Sequence, residues 1–412
     1  MNSCPTCRAC GADLVHTFAD LGVSPVSNAF VKAGDAERGE MFHRLHALVC
    51  DRCWLVQLAG GGGAESHFHD DYAYFSSFSS SWLAHAKRYV DAMIARFGLD
   101  TGSRVMEIAS NDGYLLQYFV QARIACTGVE PTANTAAAAR RVGVDTRELF
   151  FGRDTASRLL AETGPVDLLL GNNVLAHVPD INDFVGAMPT MLKPDGVVTL
   201  EFPHLLRLIA ENQFDTLYHE HYSYLSLTAL TPVFARAGLR VFDVEHLPTH
   251  GGSVRLFACR AAATHADSAA VALCLEQERA AGLTSLETYA AFGEQVRETK
   301  RALLTFLIDA KRAGRRIAAY GAPAKGNTLL NYCGVGTDFI DFTVDRNPLK
   351  QGRLLPGSRI PVLAPQAVFD SRPDYLLILP WNIKDEVIDQ MAGIRAWGGR
   401  FVVPIPTLEI LP

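Results

Sequence analysis

The chain has 412 residues, 49% of them hydrophobic, and a formal net charge of -6 at pH 7. That composition excludes a disordered chain, and the length leads us to expect roughly two to four domains. The charge and the lack of a concentrated Lys/Arg run exclude a general nucleic-acid surface, while leaving room for basic pockets that bind an anionic small molecule.

The start, Met-Asn-Ser-Cys-Pro-Thr-Cys, carries no basic segment followed by an apolar one, and no later apolar run reaches spanning length. A cytoplasmic protein without a membrane partner is therefore expected. Two Cys-x-x-Cys pairs follow at once, Cys7 with Cys10 and Cys50 with Cys53. Four thiolates fill the tetrahedral shell of zinc and leave no open position, so a structural zinc site and no catalytic metal are expected. Cys4 lies one Cys-x-x step upstream, but Gly11 supplies the tight turn of a knuckle after Cys7 and Cys10.

This first domain is expected to span residues 1–70, with a flexible break at Gly60-Gly61-Gly62-Gly63. The stretch from Asp70 to Ser81 is rich in tyrosine, phenylalanine and serine and reads as a pocket wall or an aromatic cluster between domains. Helical spacing then runs from Trp82 to Phe97, followed by a buried strand at 104–109. A helix near Gly113–Val120, a strand at Ile124–Glu130, a helix at Thr132–Arg140, an edge near Val144 and a strand at Val166–Gly171 come next. Phe184–Met191 and Gly196–Phe202 continue the alternation. Such strand-helix alternation predicts an α/β fold with a doubly wound parallel sheet over 71–250. A late strand at Ser253–Ala258 and long helices to about Asp309 lead into a second α/β unit, 251–412, with strands at 316–322, 339–345 and 375–379.

At the end of the first sheet strand, Glu107-Ile108-Ala109-Ser110-Asn111-Asp112-Gly113 sets an acid before a turn into a helix, the place where parallel sheets bind ligands. No Gly-x-Gly-x-x-Gly is present, which disfavours a pyrophosphate ligand. Glu130 ends the next strand in a carboxylate suited to a ribose diol. These residues resemble the S-adenosylmethionine-binding core of class I methyltransferases. The resemblance implies that Glu107, Asn111 and Gly113 line the methionine and ribose side, Glu130 holds the ribose, and Phe150 or Phe151 lies beside adenine, followed by Asn172 and Asn173.

Tyr218-His219-Glu220-His221-Tyr222-Ser223-Tyr224 concentrates proton-transfer groups and lacks the His-Glu-x-x-His spacing of a metalloprotease. A neutral imidazole can take a proton from carbon next to a ketone, leaving a carbon nucleophile. Here the chain resembles the sugar C-methyltransferases acting on deoxysugar nucleotides, through the four cysteines, Asn28 and Phe30, Asp71-Tyr72, and Tyr218-His219-Glu220-His221. That resemblance implies a zinc domain, a central S-adenosylmethionine domain and a Rossmann-like C-terminal domain holding the nucleotide sugar. It also implies His221 as base supported by Glu220, and Tyr72, Tyr218 and His177 around the sugar. The implied reaction methylates carbon 3 of a dTDP-4-keto-deoxysugar in antibiotic sugar biosynthesis and releases S-adenosylhomocysteine.

In the second unit, Tyr320-Gly321-Ala322-Pro323-Ala324-Lys325-Gly326-Asn327-Thr328 lies between a strand and a helix without being a P-loop. Its amides and Lys325 suit a diphosphate. The resemblance extends this binding role to Asn327, Asp345, Arg346 and Lys350. Four alternatives stand beside this reading: methylation at another sugar carbon, an oxidoreductase using the C-terminal unit and a nicotinamide cofactor, a bifunctional enzyme that adds an NADPH-dependent ketoreduction, and a zinc-dependent scaffold without catalysis. A monomer is expected, with a dimer as the alternative.

Overall fold

Phe18, Ala19 and Leu21 of β1 (His16–Ser24) and Leu45, Ala47, Leu48 and Val49 of β3 (His43–Val49) are buried in a small antiparallel sheet, with β2 (Val31–Lys32) outside it and β4 (Val56–Leu58) beside β3. The structure, a computed structural model, describes residues 5–60 and 75–412.

The middle of the chain alternates as its apolar pattern predicts. In order come α1 (Ser80–Phe97), β5 (Arg104–Ile108), α2 (Leu116–Gln121), β6 (Ala125–Val129), α3 (Ala133–Arg141), β7 (Asp145–Arg147), α4 (Arg153–Thr163) and β8 (Val166–Asn172). These are followed by α5 (Ile181–Met191), β9 (Leu192–Pro203), α6 (Leu205–Ala210), β10 (Ser223–Tyr224), α7 (Leu227–Arg236), β11 (Leu239–Leu247) and β12 (Ser253–Arg260). Seven strands form one sheet in the order β11-β12-β9-β8-β5-β6-β7. All neighbours are parallel except β12, which runs against both β11 and β9. Leu168, Leu169 and Leu170 are fully buried, as a central strand covered on both faces requires.

The expected boundary at residue 250 falls just before β12. β12 lies beyond it, yet its ladder to β9 from Ser253↔Pro203 to Cys259↔Val197 makes it an interior strand of the middle sheet. The two-residue strand β10 leaves the middle unit altogether and pairs with β4.

After α8 (Ala269–Ala280), the long helix α9 (Leu286–Arg312) buries Tyr289, Phe292, Val296, Leu303 and Leu307 on one stripe. Phe292 stacks on Phe18 of β1 at 4.5 Å between centroids, joining this helix to the N-terminal sheet. The last unit contains β13 (Ile317–Tyr320), α10 (Ala324–Cys333), β14 (Thr343–Val344), β15 (Arg353–Leu354), β16 (Val362–Leu363) and α11 (Gln366–Ser371). It ends with β17 (Tyr375–Ile378), α12 (Lys384–Gln390), β18 (Arg400–Val403) and β19 (Glu409–Leu411). Its six-stranded sheet has the order β16-β14-β13-β17-β18-β19, parallel apart from β19. β15 pairs with β2, so the last unit also grips the first.

Candidate active site

A cavity of about 820 Å³ opens at the carboxyl ends of β5 and β8, where the strand order reverses. All three units reach it: Asn28 from the first, Glu130, His177 and His221 from the middle, Lys325 and Lys350 from the last. Backbone strain gathers around it. Ala109 and Asn111 after β5, Asn173 after β8 and His250 all hold positive φ, an uncommon state for residues with a side chain.

The turn after β5 is held by Glu130, whose Oε2 accepts the Asn111 amide at 2.9 Å and whose Oε1 accepts from the amide and hydroxyl of Thr132. Burial pushes its carboxyl upward, opposed by those hydrogen bonds. A carboxylate has about four lone-pair directions, so acceptor capacity remains for a diol. Asn111 lines the cavity while its Oδ1 accepts the Ser76 amide. Phe150 and Phe151 are on the wall, Phe151 set edge-on to Phe184 at 5.5 Å. Asn172 also lines the cavity, and its Oδ1 is buried with no hydrogen-bond partner among the described residues. A polar, hydroxyl- and amine-bearing ligand fits this crevice, and S-adenosylmethionine has those groups.

Glu107 and Gly113 are not on the wall. Glu107 is buried beneath the turn near Tyr114, and burial drives its carboxyl well above the usual range. Gly113 has φ +78°, and an added Cβ would come 3.0 Å from Val142 Cγ2, so the glycine serves the packing against α3.

The segment before β10 carries the imidazole. His221 Nδ1 lies 3.0 Å from the carbonyl of Thr216 and so is the protonated nitrogen; Nε2 accepts the Tyr218 hydroxyl at 2.8 Å. Burial, then the neighbouring His177, keeps the ring well below the usual imidazole range and therefore neutral. The rings of His177 and His221 meet edge to face at 4.5 Å. Glu220 accepts from Asn28 Nδ2 at 2.7 Å, and burial raises its carboxyl to about 7. Tyr72 lies outside the described residues. The cavity thus brings together a neutral base, a tyrosine hydroxyl and a carboxyl group that shares its proton near neutrality.

Two of the expected substrate contacts are in the cavity. Lys325 donates to Asn382 Oδ1 at 2.7 Å and sits 4.5 Å over the Trp381 ring, while Lys350 donates to the Ala322 carbonyl at 2.8 Å. Asn327, Asp345 and Arg346, also expected to contact the substrate, are not among the residues that line the cavity. Asn327 is buried and donates to the Ser27 carbonyl at 2.6 Å, tying α10 to the first unit. Asp345 accepts the amides of Ala322 and Asn347, so it shapes its own turns. Arg346 points outward to Glu386 at 3.5 Å.

Sequence reasoning missed His250, which faces the cavity with Nε2 2.8 Å from the Asn173 side-chain amide; its position before Gly251-Gly252 was the available signal. Asn382 and Trp82 had no signal beyond their residue type.

Away from the cavity, Cys7, Cys10, Cys50 and Cys53 converge with all ligand atoms within 4.8 Å of one another. The Cys7–Cys53 and Cys10–Cys50 sulfur pairs are each 3.5 Å apart. A disulfide has sulfurs about 2.05 Å apart; a tetrahedron with metal–sulfur bonds of about 2.3 Å has edges near 3.8 Å. The four sulfurs therefore fit a single metal ion. Gln57 Nε2 adds a hydrogen bond to Cys7 Sγ at 3.2 Å, a contact that orients a thiolate ligand.

Residues 7–68 match the family described as "Putative zinc binding domain", residues 82–244 "Methyltransferase domain" and residues 248–406 "C-methyltransferase C-terminal domain". C-methyltransferase NovU of Streptomyces niveus is 38% identical over 408 residues, covering 98% of this chain and 96% of its own. A ubiquinone biosynthesis O-methyltransferase of Rhodopseudomonas palustris is 28% identical over 99 residues, 24% of this chain and 39% of its own. Magnesium protoporphyrin IX methyltransferase (ChlM) from Synechocystis, solved with bound SAH, aligns with 43% of this chain and 82% of its own at 14% identity and a TM-score of 0.34.

Proposed function

The chain belongs to the C-methyltransferase family that joins a zinc-binding, a methyltransferase and a C-terminal domain, and from that premise we propose that it methylates carbon 3 of a dTDP-4-keto-deoxysugar with S-adenosylmethionine, in the making of an antibiotic sugar. The observation that carries the reading is the tautomer of His221: with Nδ1–H given to Thr216, Nε2 carries the lone pair, which here accepts the Tyr218 hydroxyl and becomes available when that hydroxyl turns to the sugar, in a cavity that also holds Glu130 and two lysines.

S-adenosylmethionine supplies an activated methyl group on sulfonium; Glu130 would take its ribose hydroxyls, with Phe150 or Phe151 beside the adenine. His221 Nε2 takes the proton on carbon 3, which the carbon 4 ketone makes acidic. Donors around the ketone oxygen, from Tyr218, His177 or Tyr72, stabilise the enolate as charge develops. Glu220, steadied by Asn28, orients the sugar hydroxyls or the base. Lys325 and Lys350 give the cavity the positive charge an anionic nucleotide sugar needs. Entry of that anion raises the pKa of His221 towards the working pH.

Zinc is the proposed ion of the cysteine cluster, since four sulfur ligands suit it and close its shell. A monomer is the proposed state. No described helix is long and apolar enough to cross a membrane, and the proposed setting is the cytoplasm.

The test supplies purified protein with S-adenosylmethionine and a panel of dTDP-4-keto-deoxysugars, with NADPH added in a separate arm. A product heavier by one CH₂, with the methyl on carbon 3 by NMR, is expected, together with solvent deuterium uptake at carbon 3 when S-adenosylhomocysteine replaces the donor. A methyl group on oxygen or on another carbon would overturn the reading.

A further inference from the structure

We propose that Arg8, the residue between the first two cysteine ligands' turns and the cavity, is the positioning residue that sets His177 against His221. The inference rests on the proposed role of His221 and adds a part that neither the cysteine cluster nor the histidine motif contains.

Arg8 reaches both histidine-bearing segments at once. Its guanidinium donates from Nη1 to the carbonyl of Pro179 at 3.2 Å, just past His177 on the chain. The same group lies 5.2 Å over the ring of Tyr222, the residue after His221. Its other arm, Nη2, donates to the Leu58 carbonyl at 3.4 Å, and the Leu58 amide in turn donates to the Tyr222 carbonyl at 3.1 Å. The Arg8 main chain is used as well: its carbonyl accepts from Asn182 Nδ2 at 2.8 Å, holding the far end of the His177 segment.

The anchor for this clamp is the cysteine cluster. Gln57 binds Cys7 Sγ through Nε2 and accepts the Arg8 amide at 2.8 Å through Oε1. The backbone of Gln57 stands opposite Ser223 in the β4–β10 ladder. Thus one residue links the sulfur ligands and Arg8 through its side chain and the strand that follows the base through its backbone. A direct stitch, the Tyr222 amide to the Ala176 carbonyl at 2.7 Å, closes the loop between the two histidine segments.

Chemistry favours arginine at this position. A planar fork can donate in its plane to carbonyls of two segments while its face covers a ring, which an ammonium group cannot do. Arg8 has no carboxylate within ion-pair distance among the described residues. Its compensation comes from carbonyl dipoles, Tyr222, the neighbouring sulfurs and the more distant Asp180; four thiolates on a divalent ion would leave net negative charge beside it. Proximity demands explain why a clamp is needed. Reacting groups displaced by about 1 Å cost on the order of 100-fold in rate, and the two rings meet at only 4.5 Å.

The experiment uses the full chain with Arg8→Met and Arg8→Lys. Metal content per chain and S-adenosylmethionine affinity are expected to stay within about twofold of wild type, because neither site contains the guanidinium. Deuterium uptake at carbon 3 should fall about 10- to 100-fold in Arg8→Met with KM for the nucleotide sugar changed less than about threefold, and Arg8→Lys should lie between. In a His177→Asn background, Arg8→Met should cost less than about threefold more, since the geometry it protects is already lost. Full additivity in that background, or a loss that follows metal content, overturns the proposal. A substrate-free readout separates it from the proposed reaction: Arg8→Met should shift the ring nitrogen resonances of His177 and His221 and leave those of His85 in place. Unmoved His177 and His221 signals overturn the proposal even if carbon 3 proves not to be the methylated atom. If Arg8→Met fails to fold, Tyr222→Leu, which removes the covered ring and keeps the guanidinium, must produce the same shifts.

Discussion

Asn28 and Glu220 are 192 residues apart in the chain, yet the Asn28 amide donates to Glu220 Oε1 at 2.7 Å. The first unit thereby touches the residue adjoining the base, and the buried carboxyl it meets is held at about 7 rather than near 4.5. The folded protein keeps a proton on Glu220 at pH values where the unfolded chain has released it.

The sign of the pH dependence follows. A carboxyl raised on folding contributes stability that is complete below its unfolded value, about pH 4.5, and lost as pH rises through about 7. Glu220→Gln should flatten the stability profile over that window and raise stability near pH 8 by up to ~3 kcal/mol. Urea unfolding at both ends of the window measures this. Identical slopes for the two proteins would show that Glu220 is not the group responsible.

His221→Ala should leave S-adenosylmethionine affinity intact and reduce deuterium uptake at carbon 3 by about 100- to 10,000-fold, the usual range for a general base. Calorimetry and NMR read the two quantities separately. Uptake that survives the substitution assigns the proton to another group.

Glu130→Ala removes an acceptor from the proposed ribose site and also frees the Asn111 and Thr132 amides it now holds. Hydrogen bonds to a charged group are worth about 1.5–3 kcal/mol, so cofactor affinity should fall about 10- to 100-fold while nucleotide-sugar affinity changes little. Equal losses for the two ligands would speak against a ribose role.

Cys50→Ser takes one sulfur from a cluster in which Cys7 and Cys50 are buried in the shared core. Elemental analysis should find one zinc per chain in the wild type and little in the variant, with a thermal midpoint lowered by several degrees, since binding energy of a structural ion is folding energy. Undiminished metal content would dissolve the ligand set.

Much of the site was legible from local chemistry. The paired cysteines, Asn111 in the turn after a strand, Glu130 at the end of the next strand and the Tyr-His-Glu-His run each need particular atoms at short separations in the chain, whereas Glu107 and Gly113 of that same turn lie off the cavity wall. Other elements were not. Asn327, Asp345 and Arg346 sit beside a turn suited to phosphate, but their side chains turn to Ser27, to neighbouring amides and to Glu386. Nothing in a linear pattern says which side of a turn a side chain will take. β12 was expected as a strand, but its place between β9 and β11 depends on partners far away in sequence.

By itself the sequence determined the ingredients: two sulfur pairs, two strand-helix alternations, and a proton-transfer motif between them. Those follow from short-range constraints, because ligand chemistry, turn geometry and hydrophobic period act over a few residues. Tertiary structure alone decided that β10 would join the first sheet, that Arg8 would lie between Pro179 and Tyr222, and that Asn28 would meet Glu220. Such contacts are chosen by the burial of shared apolar faces and the pairing of buried polar groups, conditions met only once all three units have packed together.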